Sequence, residues 1–169
     1  MMVLTAEFFA ASAIELAPRL LGKWLCRRVG EQVLRYRITE TECYFGEEDT
    51  ACHAHRGRTP RTEVMYWQGG VTYVYLCYGI HSLLNLVTGD EGHPQAVLIR
   101  GIEGADGPGR VTKRLEITTA DNRKTLAPSE GIWLEDDGAP APAYDCLPRV
   151  GIDYAAPADR ARLWRYRVK

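Results

Sequence analysis

From Trp24 to Ile102 one local pattern recurs: a run rich in β-branched, aromatic and leucine side chains, closed by a glycine turn. The runs are Trp24–Val29, Val33–Tyr44, Val71–Tyr78, Ser82–Thr88 and Ala96–Ile102. They are punctuated by Gly30, Gly69-Gly70, Gly79 and the Gly89–His93 turn. Leu34, Tyr36 and Ile38 alternate with Arg35, Arg37 and Thr39, and Tyr73, Tyr75 and Cys77 share a face opposite Val74, Leu76 and Tyr78. A period of two belongs to strands, whose successive side chains point to opposite faces. Turns this short permit antiparallel pairing only, because a parallel partner needs a crossover of a dozen residues or more. The pattern predicts a largely antiparallel sheet, with Gly79 breaking the Val71–Tyr78 strand; the sheet is expected to be curved and to carry a protruding hairpin.

The flanking sequence adds little helix. Residues 11–21 place Ile14, Leu16, Ala17, Leu20 and Leu21 at helical spacing, with Pro18 predicting a break or a fresh turn and Gly22 an end. Gly46–Pro60 has no period and is expected to be a loop. Gly107-Pro108-Gly109 introduces a short helix over Arg110–Ile117, and its N–H groups would suit a phosphate. Ile132–Leu134, Arg149–Ile152 and Leu163–Val168 are expected to be short extended pieces, with a surface connector at Ala139–Ala143. The expected class is α/β in the broad sense, a mixed α+β fold with flanking short helices. A chain of 169 residues without repeat or linker makes one domain over 1–169. No apolar run approaches the roughly 20 residues that cross a bilayer, and no signal peptide is recognisable, so a cytoplasmic protein is expected, at the nucleoid if bacterial. Cys26, Cys43, Cys52, Cys77 and Cys146 are scattered and odd in number, as free thiols would be.

The net charge of -1 conceals an uneven distribution. His53–Arg61 holds three arginines and no acid, Arg110, Lys113 and Arg114 lie close together, and Arg160–Lys169 carries five cations and no acid. If these segments meet in space they make a basic surface. Glu40 and Glu42 project from one strand face and could serve as acid and base, bind a metal, or form a polar surface. Tyr44, two residues on, adds a flat π-face beside Glu42. Cys43, Cys52, His53 and His55 are the residue types of a zinc site, but their spacing lacks a Cys-x-x-Cys pair, and no His-x-Glu followed by Pro-Cys-x-x-Cys is present. Nor is there a Gly-x-Gly-x-x-Gly, a Walker loop or a Gly-x-Ser-x-Gly elbow. Stacking faces, a carboxylate and flanking cations point to chemistry on a nucleobase.

These residues also carry a resemblance. Glu40-Thr-Glu-Cys-Tyr-Phe-Gly46 with Asp49, Ala51 and His53, then Arg58-Thr-Pro-Arg61, then Tyr73-Val-Tyr-Leu-Cys-Tyr-Gly79, are similar to motifs of the alkyladenine (3-methyladenine) DNA glycosylases of the vertebrate and bacterial type. Asn85, Val97–Arg100, Gly107–Arg110 and Arg149–Ile152 continue the likeness in order along nearly the whole chain. The resemblance implies a monofunctional enzyme of base excision repair. It would flip alkylated purines, with deaminated and etheno purines as further candidates, out of duplex DNA and hydrolyse the N-glycosidic bond to leave an abasic site. It makes Glu42 the general base, with Arg100 and the backbone carbonyl of Val150 holding the attacking water. Tyr44, His53 and Tyr75 sandwich the base, the backbone at Ala51 and His53 reads its edge, and Asn85 crowds guanine's exocyclic amine. Tyr78 fills the gap left in the stack, and Arg58, Thr59, Arg61, Met65 and His81 complete the DNA contacts. Tyr73 is read as packing.

The implied partner is double-stranded DNA containing a damaged purine, with no cofactor, metal, membrane or obligate protein partner, acting as a monomer. Two alternatives stand beside it: a zinc-dependent hydrolase or deaminase on Cys43, Cys52, His53 and His55, and a catalytically silent binder of damaged DNA that keeps Tyr78.

Overall fold

The computed structural model describes residues 1–169 as a curled antiparallel half-barrel with four short helices. The strands are β1 (Met2–Val3), β2 (Trp24–Val29), β3 (Gln32–Phe45), β4 (Val71–Cys77), β5 (His81–Val87), β6 (Gln95–Ile102), β7 (Ala105–Asp106), β8 (Ile132–Asp136), β9 (Tyr144–Leu147) and β10 (Arg165–Val168). They form one ten-stranded sheet with the path β1-β8-β2-β3-β6-β5-β4; β7 pairs β6, and β10 pairs both β3 and β9. All pairs are antiparallel. The 14-residue β3 is the spine. Along one edge its first half pairs β2 and its second half pairs β10, while the other edge carries β6.

Period-two alternation then builds two faces. Val74, Leu84, Leu86, Val97 and Ile99 point into the main core, where they meet Phe9 of α1 (Ala6–Phe9), Leu16 of α2 (Ala13–Arg19) and Val111 of α3 (Pro108–Arg114). Their neighbours Tyr73, Tyr75, Leu83, Asn85, Leu98 and Arg100 point to the opposite face, which is concave and holds the site. A slip of one residue in any of these strands would exchange the two sets, so burial of the first fixes the second in place.

The expected strands from Trp24 to Ile102 are present to within a residue or so at their ends. Elsewhere the structure differs for identifiable reasons. The helix passes through Pro18 and stops at Arg19: the bond that proline forgoes would have gone to Ile14, which is exposed, and the Leu20 N–H already closes on Leu16. α3 begins two residues earlier than expected, with Pro108 at its first position and Gly107 (φ 100°) as its cap. The Gly107 N–H donates to the Arg100 carbonyl, so this turn is not an open row of donors for a phosphate. Within the expected Gly46–Pro60 loop, His53–Arg56 forms a 3-10 turn. Residues 149–152 form no strand, whereas β9 and α4 (Pro157–Arg160) arise where no period announced them. No helix is long and apolar enough to cross a membrane.

Candidate active site

The concave face encloses a cavity of about 950 Å³. Tyr44 from the end of β3, His53 from its 3-10 turn, and Tyr73 and Tyr75 from β4 provide the aromatic walls. Asn85, Leu98 and Arg100 come from β5 and β6, and Val150–Ile152 with Tyr154 close the far side. The His53 and Tyr75 rings meet edge to face with centroids 4.6 Å apart, and the His53 Nδ1 lies 2.9 Å from the Tyr73 hydroxyl. Burial, with the Arg61 guanidinium nearby, lowers the His53 pKa to about 4, so the imidazole is neutral at physiological pH.

Glu42 lies one side chain behind this wall. It has no exposed surface, and its carboxylate accepts from the Tyr44 hydroxyl at Oε1 (2.8 Å) and from the Val150 N–H at Oε2 (2.7 Å). The Arg100 Nε stands 3.8 Å from the same Oε2 and has no hydrogen-bonding partner in the protein. Burial raises the Glu42 pKa above the ordinary carboxylate range, against the opposing pull of Arg100, the Val150 amide, Tyr44 and Arg149. The site therefore holds a carboxylate more basic than usual beside an unsatisfied N–H donor, the pairing that one bridging water suits.

The other expected residues divide. Asn85 is buried on the cavity wall, with its amide donating to the Tyr73 carbonyl at 3.2 Å. Val150 meets Glu42 through its N–H; the expected role fell on its carbonyl. Ala51 contributes no cavity surface: it is fully buried, its N–H goes to Asp49, and its carbonyl accepts from the Tyr154 hydroxyl at 2.7 Å. Met65, expected at a DNA contact, is only 2% exposed and belongs to a second core cluster with Ala54, Val64 and Tyr66; it reaches the cavity from below. Arg58 is held by Glu63 through two bonds of 2.7 and 2.9 Å, and Thr59 exchanges hydrogen bonds with Thr62, so both shape the loop before they meet any ligand. Arg61 reaches the rim, its guanidinium 5.1 Å above the Tyr75 ring, and His81 is exposed at the mouth.

Of the basic segments, Arg61, Arg110 and Lys113 share the cavity rim. The C-terminal cations do not join them: Arg165 turns inward to Glu40 and Arg162 pairs with Asp159. Cys43, Cys52, His53 and His55 do not converge on one point either: His53 faces Tyr73 and His55 binds the Glu47 carbonyl. Sequence reasoning missed Tyr73 as a wall residue, although its period-two relation to Tyr75 signals it, and missed Tyr154, which carries no local signal.

The mouth is flanked by the β4–β5 hairpin. Cys77 pairs His81, the Ile80 N–H closes on the Cys77 carbonyl, and Tyr78 (φ 54°) and Gly79 (φ 67°) both take the left-handed conformation, as a type I′ turn requires. Glycine adopts it freely, whereas for a bulky aromatic it stores strain on the order of 1–3 kcal/mol. Tyr78 is nevertheless 91% exposed, with Leu76 and Ile80 beside it. A strained, solvent-facing aromatic contributes nothing to packing, which directs attention to what it meets outside the molecule.

Known proteins share this chain's sequence over almost its whole length. The methylpurine-DNA glycosylase (MPG) family matches residues 7–107 and 103–169. A Psychrobacter cryohalolentis protein provisionally named 3-methyladenine DNA glycosylase is 46% identical over 186 residues, spanning 92% of this chain and 87% of that one. A Myxococcus xanthus protein provisionally given the same name is 43% identical over 172 residues (95% and 89%). The Arabidopsis thaliana DNA-3-methyladenine glycosylase is 40% identical over 188 residues, 99% of this chain and 72% of its own.

Proposed function

The chain belongs to the methylpurine-DNA glycosylase family, and from that premise we propose how its cavity selects and releases a damaged purine. It is a DNA-3-methyladenine glycosylase, a hydrolase of N-glycosyl bonds in base excision repair. The observation that carries the finer reading is Glu42, buried directly behind an aromatic cavity whose mouth is flanked by Tyr78.

The flipped purine stacks among Tyr44, His53 and Tyr75, while Tyr78 enters the gap in the duplex. Flipping costs a few kcal/mol, least for a damaged base, and each aromatic stack returns about 1–3 kcal/mol, so a sandwich and a wedge together offset the cost. Arg100 Nε–H donates to a water whose own proton points to Glu42 Oε2, leaving a lone pair for the sugar C1′. As the water oxygen bonds to C1′, the C–N bond breaks, its electrons leave with the base, and Glu42 takes the proton. The Val150 and Tyr44 donors fix the carboxylate during this transfer. The same anion stabilises the positive charge developing on the sugar. Asn85 crowds the exocyclic amine of guanine, and neutral His53 lets a cationic alkylpurine enter without repulsion.

Base release from duplexes carrying 3-methyladenine, 7-methylguanine, hypoxanthine or 1,N6-ethenoadenine, against undamaged duplex, tests this reading. Release is expected from lesion duplexes only, fastest for the cationic alkylpurines. Tight binding of damaged duplex with no release of any base would instead support the silent binder.

Two further outcomes are expected. The base must be ionised, so kcat/KM rises with pH through the raised Glu42 pKa, and its acid limb lies above the ordinary glutamate range; a limb at or below that range would remove Glu42 from the role. Tyr78→Gly weakens binding to damaged duplex by about 10–100-fold, the loss of one aromatic stack of ~1–3 kcal/mol. Its melting temperature is expected to hold or rise because the left-handed strain is released. Binding titration and thermal melting measure the two effects separately.

A further inference from the structure

A second buried carboxylate, unused in this mechanism, stands beside the first. Glu40 is 9% exposed, and its Oε2 lies 3.7 Å from the Arg100 Nε, which in turn lies 3.8 Å from Glu42 Oε2. One guanidinium nitrogen is thus nearly equidistant from two carboxylates. Behind Glu40, Arg165 donates to the same Oε2 at 2.9 Å through Nη1 and to the Pro148 carbonyl at 2.7 Å through Nε. Pro148 lies two residues before Val150, whose N–H holds Glu42.

The backbone brings Glu40 here by an irregularity. The β3–β6 ladder shifts register on both sides of Glu40, and Gly101 stands opposite it. A Cβ on Gly101 would meet the Thr39 hydroxyl at 2.8 Å and the Glu40 Cβ at 3.2 Å. A bulge that depends on a glycine across the ladder is the kind of feature that re-aims a side chain beside an active site.

We propose that Glu40 is a positioning residue: anchored by Arg165, it holds the Arg100 guanidinium between two carboxylates and so sets how much of that positive charge Glu42 receives. The inference rests on the reading of Glu42 as the base. Unshared, Arg100 would close on Glu42, weaken it as a base and occupy the place of the attacking water. Drawn wholly to Glu40, Arg100 would leave Glu42 too costly to ionise. The surroundings of Glu42 contain Tyr44 on its own strand, Arg100 from β6, Arg149 and the Val150 N–H from the C-terminal segment, and Arg165, which pairs with it in register on β10. Glu40 faces Arg100 and Arg165, while Arg167, opposite it in register, is exposed.

Two substitutions push the balance in opposite directions. Glu40→Gln leaves an extra positive charge beside Glu42, so the acid limb of kcat/KM moves down by about one pH unit and kcat falls about 10–100-fold. KM for damaged duplex stays unchanged, because Glu40 does not reach the cavity surface. Arg165→Gln leaves an extra negative charge and moves the limb up. The double variant restores neutrality and brings the limb back toward wild type, and Glu40→Asp, which keeps the charge, does the same in part. A purely structural Glu40 would lower the melting temperature and leave the limb in place, and limbs of both single variants that coincide with wild type overturn the inference. Glu42→Gln is assayed in parallel: if it still releases base, the base assignment itself fails. If it is inactive while the two limbs stay put, only the role of Glu40 is lost.

Discussion

Glu42→Gln is expected to lower the rate of base release by about 10²–10⁴-fold while the variant still folds and still binds damaged duplex. That loss corresponds to about 2.7–5.4 kcal/mol of transition-state stabilisation at 1.36 kcal/mol per decade. The substitution is clean because the amide fits the same contacts. Its oxygen can accept from the Val150 N–H, and its nitrogen can face the Tyr44 hydroxyl, which rotates to accept. Stability supplies an independent check. Burial raises the Glu42 pKa in the folded protein, so the folded state holds its proton to higher pH than the unfolded chain. Stability is therefore lost as pH rises from the unfolded pKa through the folded one. Removing the charge should recover that loss, and the variant should melt no lower than wild type at neutral pH and show less decline with rising pH. Measured together, single-turnover release, duplex binding and melting separate the outcomes. Wild-type release would remove Glu42 from the chemistry, and lost release with a collapsed melting temperature would make it a structural residue.

The parts of the molecule legible in its sequence are those with a local signature. The alternation of β3 and the Tyr73–Gly79 run specified the strands, their faces and the hairpin, because the period of a strand is written in consecutive residues. Tyr75, Leu98 and Arg100 share the cavity face because Val74, Val97 and Ile99 are buried on the other; it is the likeness to the glycosylase motifs, not the period, that joins Glu42 and Tyr44 to them, and Glu42 sits behind the wall with no exposed surface. What escaped is non-local. Arg165 reads as one of five solvated C-terminal cations, yet β10 lies against β3 and turns that side chain onto Glu40. Ala51 reads as an available backbone edge, but Tyr154, 103 residues later, occupies its carbonyl. Arg58 reads as a free cation until Glu63 folds back on it. In each case a partner distant in sequence, or a tight turn without period, decides what the side chain can do.

Arg149 and Asp49 show how far this non-local assembly supports the site, and breaking their pair should be the most destabilising single change considered. Both side chains are essentially fully buried, and two bonds of 2.7 and 3.0 Å join them. Arg149 also donates to the Cys43 and Asp159 carbonyls, and its guanidinium lies 5.0 Å from both the Tyr44 and the Trp164 rings. Asp49 in turn receives the Phe45 and Ala51 N–H groups. The pair therefore ties the end of β3 to the loop carrying His53 and to the segment that delivers the Val150 N–H. Asp49→Ala leaves a buried guanidinium uncompensated, which costs about 3–5 kcal/mol, a large share of the roughly 5–15 kcal/mol that holds a domain together. Chemical denaturation should show it as a lowered midpoint. Replacing both partners, as Asp49→Leu with Arg149→Met, removes the stranded charge, and such apolar exchanges are often neutral or stabilising. Stability should then recover in part, since the Phe45 and Ala51 N–H groups still lack their acceptor, while base release does not, because the Val150 turn has lost the Arg149 bonds that tie it to the end of β3. If release recovers along with stability, the pair is a fold element alone and the turn finds Glu42 without it.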